Sequence, residues 1–164
     1  MQYMIDFLHV MRFIGFNGPT FIILISLYFL SNRPSYFLLF ITGVLINIGS
    51  NNFLKKWIKQ PRPDGYLQYI ENPSIYKLQG EEYGMPSGHA QLVSYSLLYL
   101  LLLGYNMFTI AIVSLFAGIT IIQRVLDKKH TPEQILVGII VGGLISWVLI
   151  YCKKVYLRGT NKML

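Results

Sequence analysis

The chain has 164 residues, of which 54% are hydrophobic and only 13% charged, with a formal net charge of +7. A water-soluble domain of this size carries about a quarter charged residues, so composition excludes an ordinary soluble fold and indicates an integral membrane protein. Ten-residue segments of alternating polarity, the mark of a membrane barrel, are absent. The expected fold class is therefore all-α: a polytopic membrane bundle of five to six helices, forming one domain over 1–164.

The positive charge does not argue for nucleic acid as a partner. In so apolar a chain, lysines at helix ends meet anionic headgroups, and the bilayer is the expected partner. The basic cluster without acids is the tail, Lys153, Lys154, Arg158 and Lys162. Tyr28, Tyr36, Tyr105, Tyr151 and Tyr156 lie at the ends of apolar runs, where amphipathic rings favour the headgroup zone. The single cysteine, Cys152, excludes an internal disulfide. The first residues lack a basic n-region and a small-residue cleavage site, so no removable signal peptide is expected.

In chain order, residues 3–16 are apolar apart from Asp6, His9 and Arg12, whose spacing of three puts them on one helical face. This suggests a short tilted or interfacial helix, broken at Gly18-Pro19. A second short run follows at 19–31, closed by "SNRPS", so that 1–34 holds the N-terminal helices. Residues 35–59 form the next helix, long enough to span. A polar loop covers 60–86, and connections of that length are usually functional or disordered. Helices are then expected at 87–104, 107–126 and 132–153, the last with small residues in "VGGLIS" for close packing. Residues 35–153 make up the core and 154–164 the basic tail. Alternating crossings bring the end of the 35–59 helix, the start of the 87–104 helix and the loop before residue 132 to one membrane side. The unusual polar groups of the chain gather there.

In "KKWIKQPRP", Lys55 and Arg62 lie seven residues apart, which on a continuing helix puts both on one face about 10 Å apart. Asn47 and Asn51 extend that face inward. Two cations on one stripe can converge on one anion, although alone the pattern equally describes a basic helix end snorkelling to headgroups. In "GMPSGHAQ", Ser87 is a good N-cap. A helix start there would present free N–H groups to phosphate, Gly88 would let an anion approach, and His89 could hold or donate a proton. Read alone, it is also an ordinary capped helix with an interfacial histidine.

In "RVLDKKHTPEQ", Arg124 is an ionisable residue at membrane depth, which is costly and therefore a functional candidate. Thr131, Pro132 and Gln134 read as a capping box, which puts His130 at a second helix start. Together these groups suit phosphoryl transfer: donors for three oxygens, one histidine to attack phosphorus and another to protonate the leaving oxygen. The acids Asp64, Glu71, Glu81 and Glu82 are scattered along one loop, so neither a metal nor a cofactor is expected.

Three motifs carry a family resemblance. K-x6-R-P runs from Lys55 to Pro63, P-S-G-H from Pro86 to His89, and R-x5-H from Arg124 to His130. The chain resembles the type 2 phosphatidic acid phosphatase superfamily of membrane lipid phosphatases. "GMPSGHAQ" and "HTPEQILVG" are most similar to its dolichyl diphosphate phosphatases.

The resemblance implies that His130 is a nucleophile forming a phosphohistidine and that His89 protonates the leaving group. It implies that Lys55, Arg62, Ser87, Gly88 and Arg124 hold the phosphate, without a metal. Two positions depart from the family pattern: Gln123 stands where serine is usual, and Gln134 where an aspartate would orient the nucleophile. Glutamine can accept the Nδ1 proton but brings no charge. If Gln134 only caps the helix, another group must orient His130.

The expected function is hydrolysis of a polyprenyl diphosphate, of dolichyl or undecaprenyl type. A glycerolipid phosphate such as phosphatidic acid or phosphatidylglycerol phosphate is the alternative substrate, and non-catalytic binding of anionic lipid is the alternative of another class. The two sides carry equal numbers of non-catalytic cations, so the positive-inside rule does not orient the chain. The resemblance implies a lumenal or periplasmic site and a cytoplasmic tail.

Overall fold

The computed structural model describes the backbone of residues 2–65 and 83–160 and the side chains of 9–65 and 83–157. Most of the polar loop, with Glu71, Glu81 and Glu82, lies outside the described residues, as do the side chains of Asp6, Arg158 and Lys162. Among the described residues five helices follow in order: α1 (Gln2–Leu30), α2 (Pro34–Ile58), α3 (Gly88–Leu102), α4 (Met107–Leu126) and α5 (Pro132–Thr160). Four of them contain stretches long and apolar enough to cross a membrane: His9–Leu30, Pro34–Ile58, Met107–Leu126 and Pro132–Leu157.

α3 is the shortest, at 15 residues, and it packs against all four others. Its Ala90, Val93, Tyr95, Tyr99 and Leu100 are fully buried. The outer helices instead turn residues such as Leu45, Phe53, Leu115, Leu144 and Trp147 outward. That inversion is what a lipid solvent favours.

The expected break at Gly18-Pro19 does not occur: α1 runs unbroken through Pro19. In hydrocarbon a chain leaving the helix would strand several backbone polar groups, whereas an internal proline removes one hydrogen bond. The glycine serves packing instead. A Cβ at Gly15 would collide with Gln123, and one at Gly18 with Thr120, so α1 seats its backbone directly on α4. The same device joins α5 to α3. A Cβ at Gly138 would lie 2.5 Å from the Ser87 carbonyl oxygen, and one at Gly142 would run into the backbone of Gln91. Of "VGGLIS", Gly142 thus does pack closely, as does Gly138 one turn before that run, and both do so against the helix that starts at the P-S-G-H motif.

Helix starts follow their local chemistry. Pro34 opens α2 with a pre-set φ. Asn106 caps α4, its Oδ1 accepting from the Thr109 amide at 2.9 Å. At the end of the bundle away from these motifs, tyrosines cross between helices. The Tyr95 hydroxyl donates to the Phe40 carbonyl at 2.9 Å, that of Tyr99 to Tyr36 at 2.8 Å, and that of Tyr105 to Phe29 at 2.7 Å. Tyr105 also lies under the Arg33 guanidinium, 5.3 Å from its ring centroid. Tyr28, Tyr151 and Tyr156 are exposed, as expected of a headgroup belt.

The packing of α5 on α3 is tested by Gly142→Ala, whose methyl would meet rigid backbone. It should lower stability by about 1–3 kcal/mol, read as a lower unfolding temperature in detergent micelles. Gly143→Ala should not, because its Cβ would meet only Leu98 Cδ2 at an ordinary 3.6 Å.

Candidate active site

The stripe on α2 is real. Asn47, Asn51 and Lys55 are all buried on one face. Gln91 of α3 reads that stripe: its Nε2 donates to Asn47 O and Oδ1 and to Ser50 Oγ, and its Oε1 accepts from Asn51 Nδ2 at 2.9 Å. Asn51 Nδ2 also lies 3.1 Å from the Pro86 carbonyl oxygen, which ties the P-S-G-H turn to α2.

Arg62, however, is not on the helix. α2 ends at Ile58, and Lys59 turns left-handed at φ 53. Proline at 61 disfavours helix at the residue before it, and Pro61 instead pairs with Tyr83 in an isolated antiparallel bridge. The expected helical face shared by Lys55 and Arg62 is therefore replaced by an extended segment. That segment delivers Arg62 to the same destination, its Nη1 donating to the Lys129 carbonyl at 2.9 Å and lying 3.3 Å from His130 Nε2.

The R-x5-H spacing has a backbone explanation. Asp127 is the C-cap of α4. The Lys128 amide donates to Val125 O at 3.0 Å and the Lys129 amide to Arg124 O at 2.9 Å, with Lys128 left-handed at φ 51. This is the Schellman pattern, which normally favours glycine at the left-handed position. It folds the chain back, so that the His130 amide also reaches the Arg124 carbonyl, at 3.3 Å. Asp127 is buried and accepts from Arg12 Nε of α1 at 3.0 Å and from Gln123 Nε2. The family departure at Gln123 is thus part of the seat of this turn.

His130 is buried, and its neighbours define its tautomer. Nδ1 lies 2.9 Å from the Gly84 carbonyl oxygen. A carbonyl only accepts, so Nδ1 carries the proton. Arg62 only donates, so Nε2 presents its lone pair. Gln134 Oε1 is farther from Nδ1, at 3.3 Å, and also accepts from the Thr131 amide at 3.2 Å, while Thr131 Oγ1 accepts from the Gln134 amide at 3.3 Å. The capping box therefore forms, and Gln134 both caps and touches the histidine. Its Nε2 donates to Pro61 O at 2.9 Å and to Gln60 Oε1 at 3.1 Å, and its carbonyl accepts from the Ser87 amide at 2.9 Å. Gly84 can lie this close because a Cβ there would collide with the Gln134 amide group.

Ser87 is fully buried and caps α3, its Oγ accepting from the Ala90 amide at 3.4 Å. Gly88 and His89 form the first turn, with Gly88 against Asn51. Lys55 and Arg124 are buried, and the charges of Arg62, Lys55 and Arg124 all bear on His130, as does His89. Burial first, then these cations, hold the His130 pKa well below the ordinary histidine value.

All eight residues singled out from the sequence thus assemble at one end of the bundle. Glu133 is exposed, turned away from it. Sequence reasoning missed Gln91, whose signal was a polar side chain inside an apolar helix. It also missed the Gly84 carbonyl, which has no side-chain signal, and Phe16 of α1. The Phe16 carbonyl lies 3.1 Å from His89 Nε2, and its ring centroid is 5.6 Å from Arg124 Cζ.

Fold and cluster together define a helical integral membrane protein with a buried cationic cluster built around two imidazoles. The chain belongs to the PAP2 superfamily, whose model matches residues 35–157. It is 28% identical over 161 residues to "Dolichyldiphosphatase 1" of Plecturocebus moloch and 28% identical over 162 residues to that of Homo sapiens, in both cases over 86% of this chain and 63% of the relative. It is 32% identical over 113 residues to "Dolichyldiphosphatase" of Saccharomyces cerevisiae, over 62% of this chain and 45% of the relative. The chain thus spans less than two thirds of the length of these relatives. No solved structure matches it.

Two outcomes follow from this geometry. Above the ordinary histidine pKa, His130 is neutral folded and unfolded and contributes nothing to pH dependence. Below it the unfolded chain takes up a proton that the folded one refuses, so stability falls with pH until the folded pKa is reached, by at most about 1.4 kcal/mol per pH unit. His130→Asn should flatten the decline in unfolding temperature between neutral pH and pH 5. Lys128→Gly should raise stability by about 1 kcal/mol by relieving the left-handed lysine, read in the same melts.

Proposed function

We propose that the chain is a membrane lipid phosphatase that hydrolyses a polyprenyl diphosphate through a phosphohistidine on His130. The observation that carries this reading is the tautomer of His130: Nδ1–H is held by the Gly84 carbonyl at 2.9 Å, and Nε2 faces Arg62 with its lone pair available. A buried neutral imidazole among cations is a competent nucleophile, and the same cations attract the phosphate to it.

The first step forms a bond from His130 Nε2 to the terminal phosphorus and breaks the bond from phosphorus to the bridging oxygen. The imidazolium of His89 gives its proton to the departing lipid phosphate. The negative phosphate brought in by the substrate favours that protonated form among the cations. In the second step water attacks the phosphohistidine, His89 takes the water's proton, and inorganic phosphate leaves with His130 restored. Lys55, Arg62, Arg124, Ser87 and the free amides at the start of α3 hold the three equatorial oxygens, which is where preorganised donors contribute most. In this reading no metal takes part: the groups gathered around His130 are cationic and would repel one.

The names of the curated relatives favour a diphosphate on a dolichyl-type lipid. The tail stays in the bilayer while the headgroup enters the polar end of the bundle. The resemblance favours a lumenal or periplasmic site and a cytoplasmic C-terminal tail.

Purified protein should release phosphate from a polyprenyl diphosphate in micelles and accumulate an acid-labile phosphoenzyme on rapid quenching. His130→Ala should lose both, with turnover reduced by on the order of 10³-fold or more. Equal release from the two proteins ends the proposal. Competition with phosphatidic acid in the same assay decides which lipid is preferred.

A further inference from the structure

The matched family segment begins at residue 35, so α1 lies wholly outside it. Yet α1 reaches the heart of the cluster. The Phe16 carbonyl oxygen lies 3.1 Å from His89 Nε2, and the Phe16 ring centroid lies 6.1 Å from the His89 ring and 5.6 Å from Arg124 Cζ. One residue of α1 therefore touches two of the three motifs.

Two contacts hold that residue in register. One turn before it, Arg12 donates to the buried Asp127 at 3.0 Å, in the turn that carries His130. On either side of it, Gly15 and Gly18 bring the α1 backbone directly against Gln123 and Thr120 of α4. Pro19 lies three residues after Phe16. Proline has no N–H for the Gly15 carbonyl and its ring pushes that carbonyl away, so the turn that runs from Gly15 through Phe16 is one bond short of a full helical ladder.

We propose that the Phe16 carbonyl, made available by Pro19, is the positioning group for the proton donor His89, so that α1 completes the catalytic site. This rests on His89 acting as the acid. A carbonyl only accepts, so Nε2 keeps its proton, and Nδ1 is left as the nitrogen that gives a proton to the leaving oxygen and later takes one from water. The arrangement mirrors that of His130, where the Gly84 carbonyl holds Nδ1–H and leaves Nε2 to react. Each imidazole is thereby committed to one nitrogen by a backbone oxygen, one carbonyl coming from α1 and the other from the segment before α3.

The test is leaving-group dependence of kcat/KM in detergent micelles, a quantity a merely structural role would not move selectively. Phenyl phosphate needs its leaving oxygen protonated, whereas p-nitrophenyl phosphate loses a stable phenolate without help. General acid catalysis contributes about 10²- to 10⁴-fold. His89→Asn should therefore lose at least about tenfold more on phenyl phosphate than on p-nitrophenyl phosphate.

Pro19→Ala keeps every side chain at the site, supplies the missing amide and uses the best helix former, so α1 still folds. It should show the same selective loss, at least about tenfold between the two esters, as the restored bond to the Gly15 carbonyl closes that turn and draws the neighbouring Phe16 carbonyl away from His89. Equal losses on both esters, or no loss, while His89→Asn remains selective, would overturn the role of α1. Equal losses in His89→Asn would instead remove the acid role of His89, and this inference with it. No turnover of either ester or of a polyprenyl diphosphate by the unaltered protein would remove the phosphatase reading itself.

Discussion

The arrangement depends on one hydrogen bond, from His130 Nδ1 to the Gly84 carbonyl. It decides which nitrogen is free, and much of the surrounding structure serves to hold its acceptor still. The Gly84 amide is tied to the Gln60 carbonyl at 2.8 Å, Pro61 bridges Tyr83, and Ser87 donates to Gln134. Gln134 closes the circuit from the other side by donating to Gln60 and Pro61. Three segments distant in sequence are thus joined at a single residue, through its side-chain amide and its main-chain carbonyl. This is a physical account of why glutamine can stand where the family pattern has aspartate: the work of orienting the ring is shared with a backbone oxygen, and the side chain is spent on tying the segments together.

Electrostatics then sets the character of the pocket. Lys55 and Arg124 are buried, as are Asp127 and Lys129 of the adjoining turn, and Arg62 lies against the His130 imidazole. Like charges brought together out of water raise the energy of the empty pocket. In the proposed reaction a phosphate relieves that repulsion, so the cations that are costly together are the ones that attract the substrate. The Asn47–Asn51–Gln91 network continues the buried face of α2 that carries Lys55 with neutral dipoles, and it adds no carboxylate to that face.

Much of this was legible in the sequence, because membrane chains leave few places for polar groups. The apolar runs located α2 to α5, and the capping box at Thr131 to Gln134 was readable from residue types alone. Arg124 and His130 stood out because nothing bland explains them at that depth. What could not be read was backbone. The α1 break was expected from Gly18-Pro19, but local propensity lost to the cost of exposing amides in hydrocarbon. Arg62 was put on a helix that ends at Ile58, because the left-handed Lys59 has no glycine to announce it. Gly84 and Phe16 contribute carbonyls, which every residue owns, so no side-chain pattern could single them out.

The tyrosine bonds at the other end of the bundle have a mechanical consequence. Each phenol crosses to a carbonyl of another segment, and the fully buried Tyr95 bond has no water to replace a lost partner. That half is riveted, with α1, α2 and α3 pinned to one another near Phe29, Tyr36 and Phe40. With the Asn47–Asn51–Gln91 bonds joining α2 to α3 nearer the imidazoles, α2 and α3 are clamped at two levels along their length, so they move as one rigid pair.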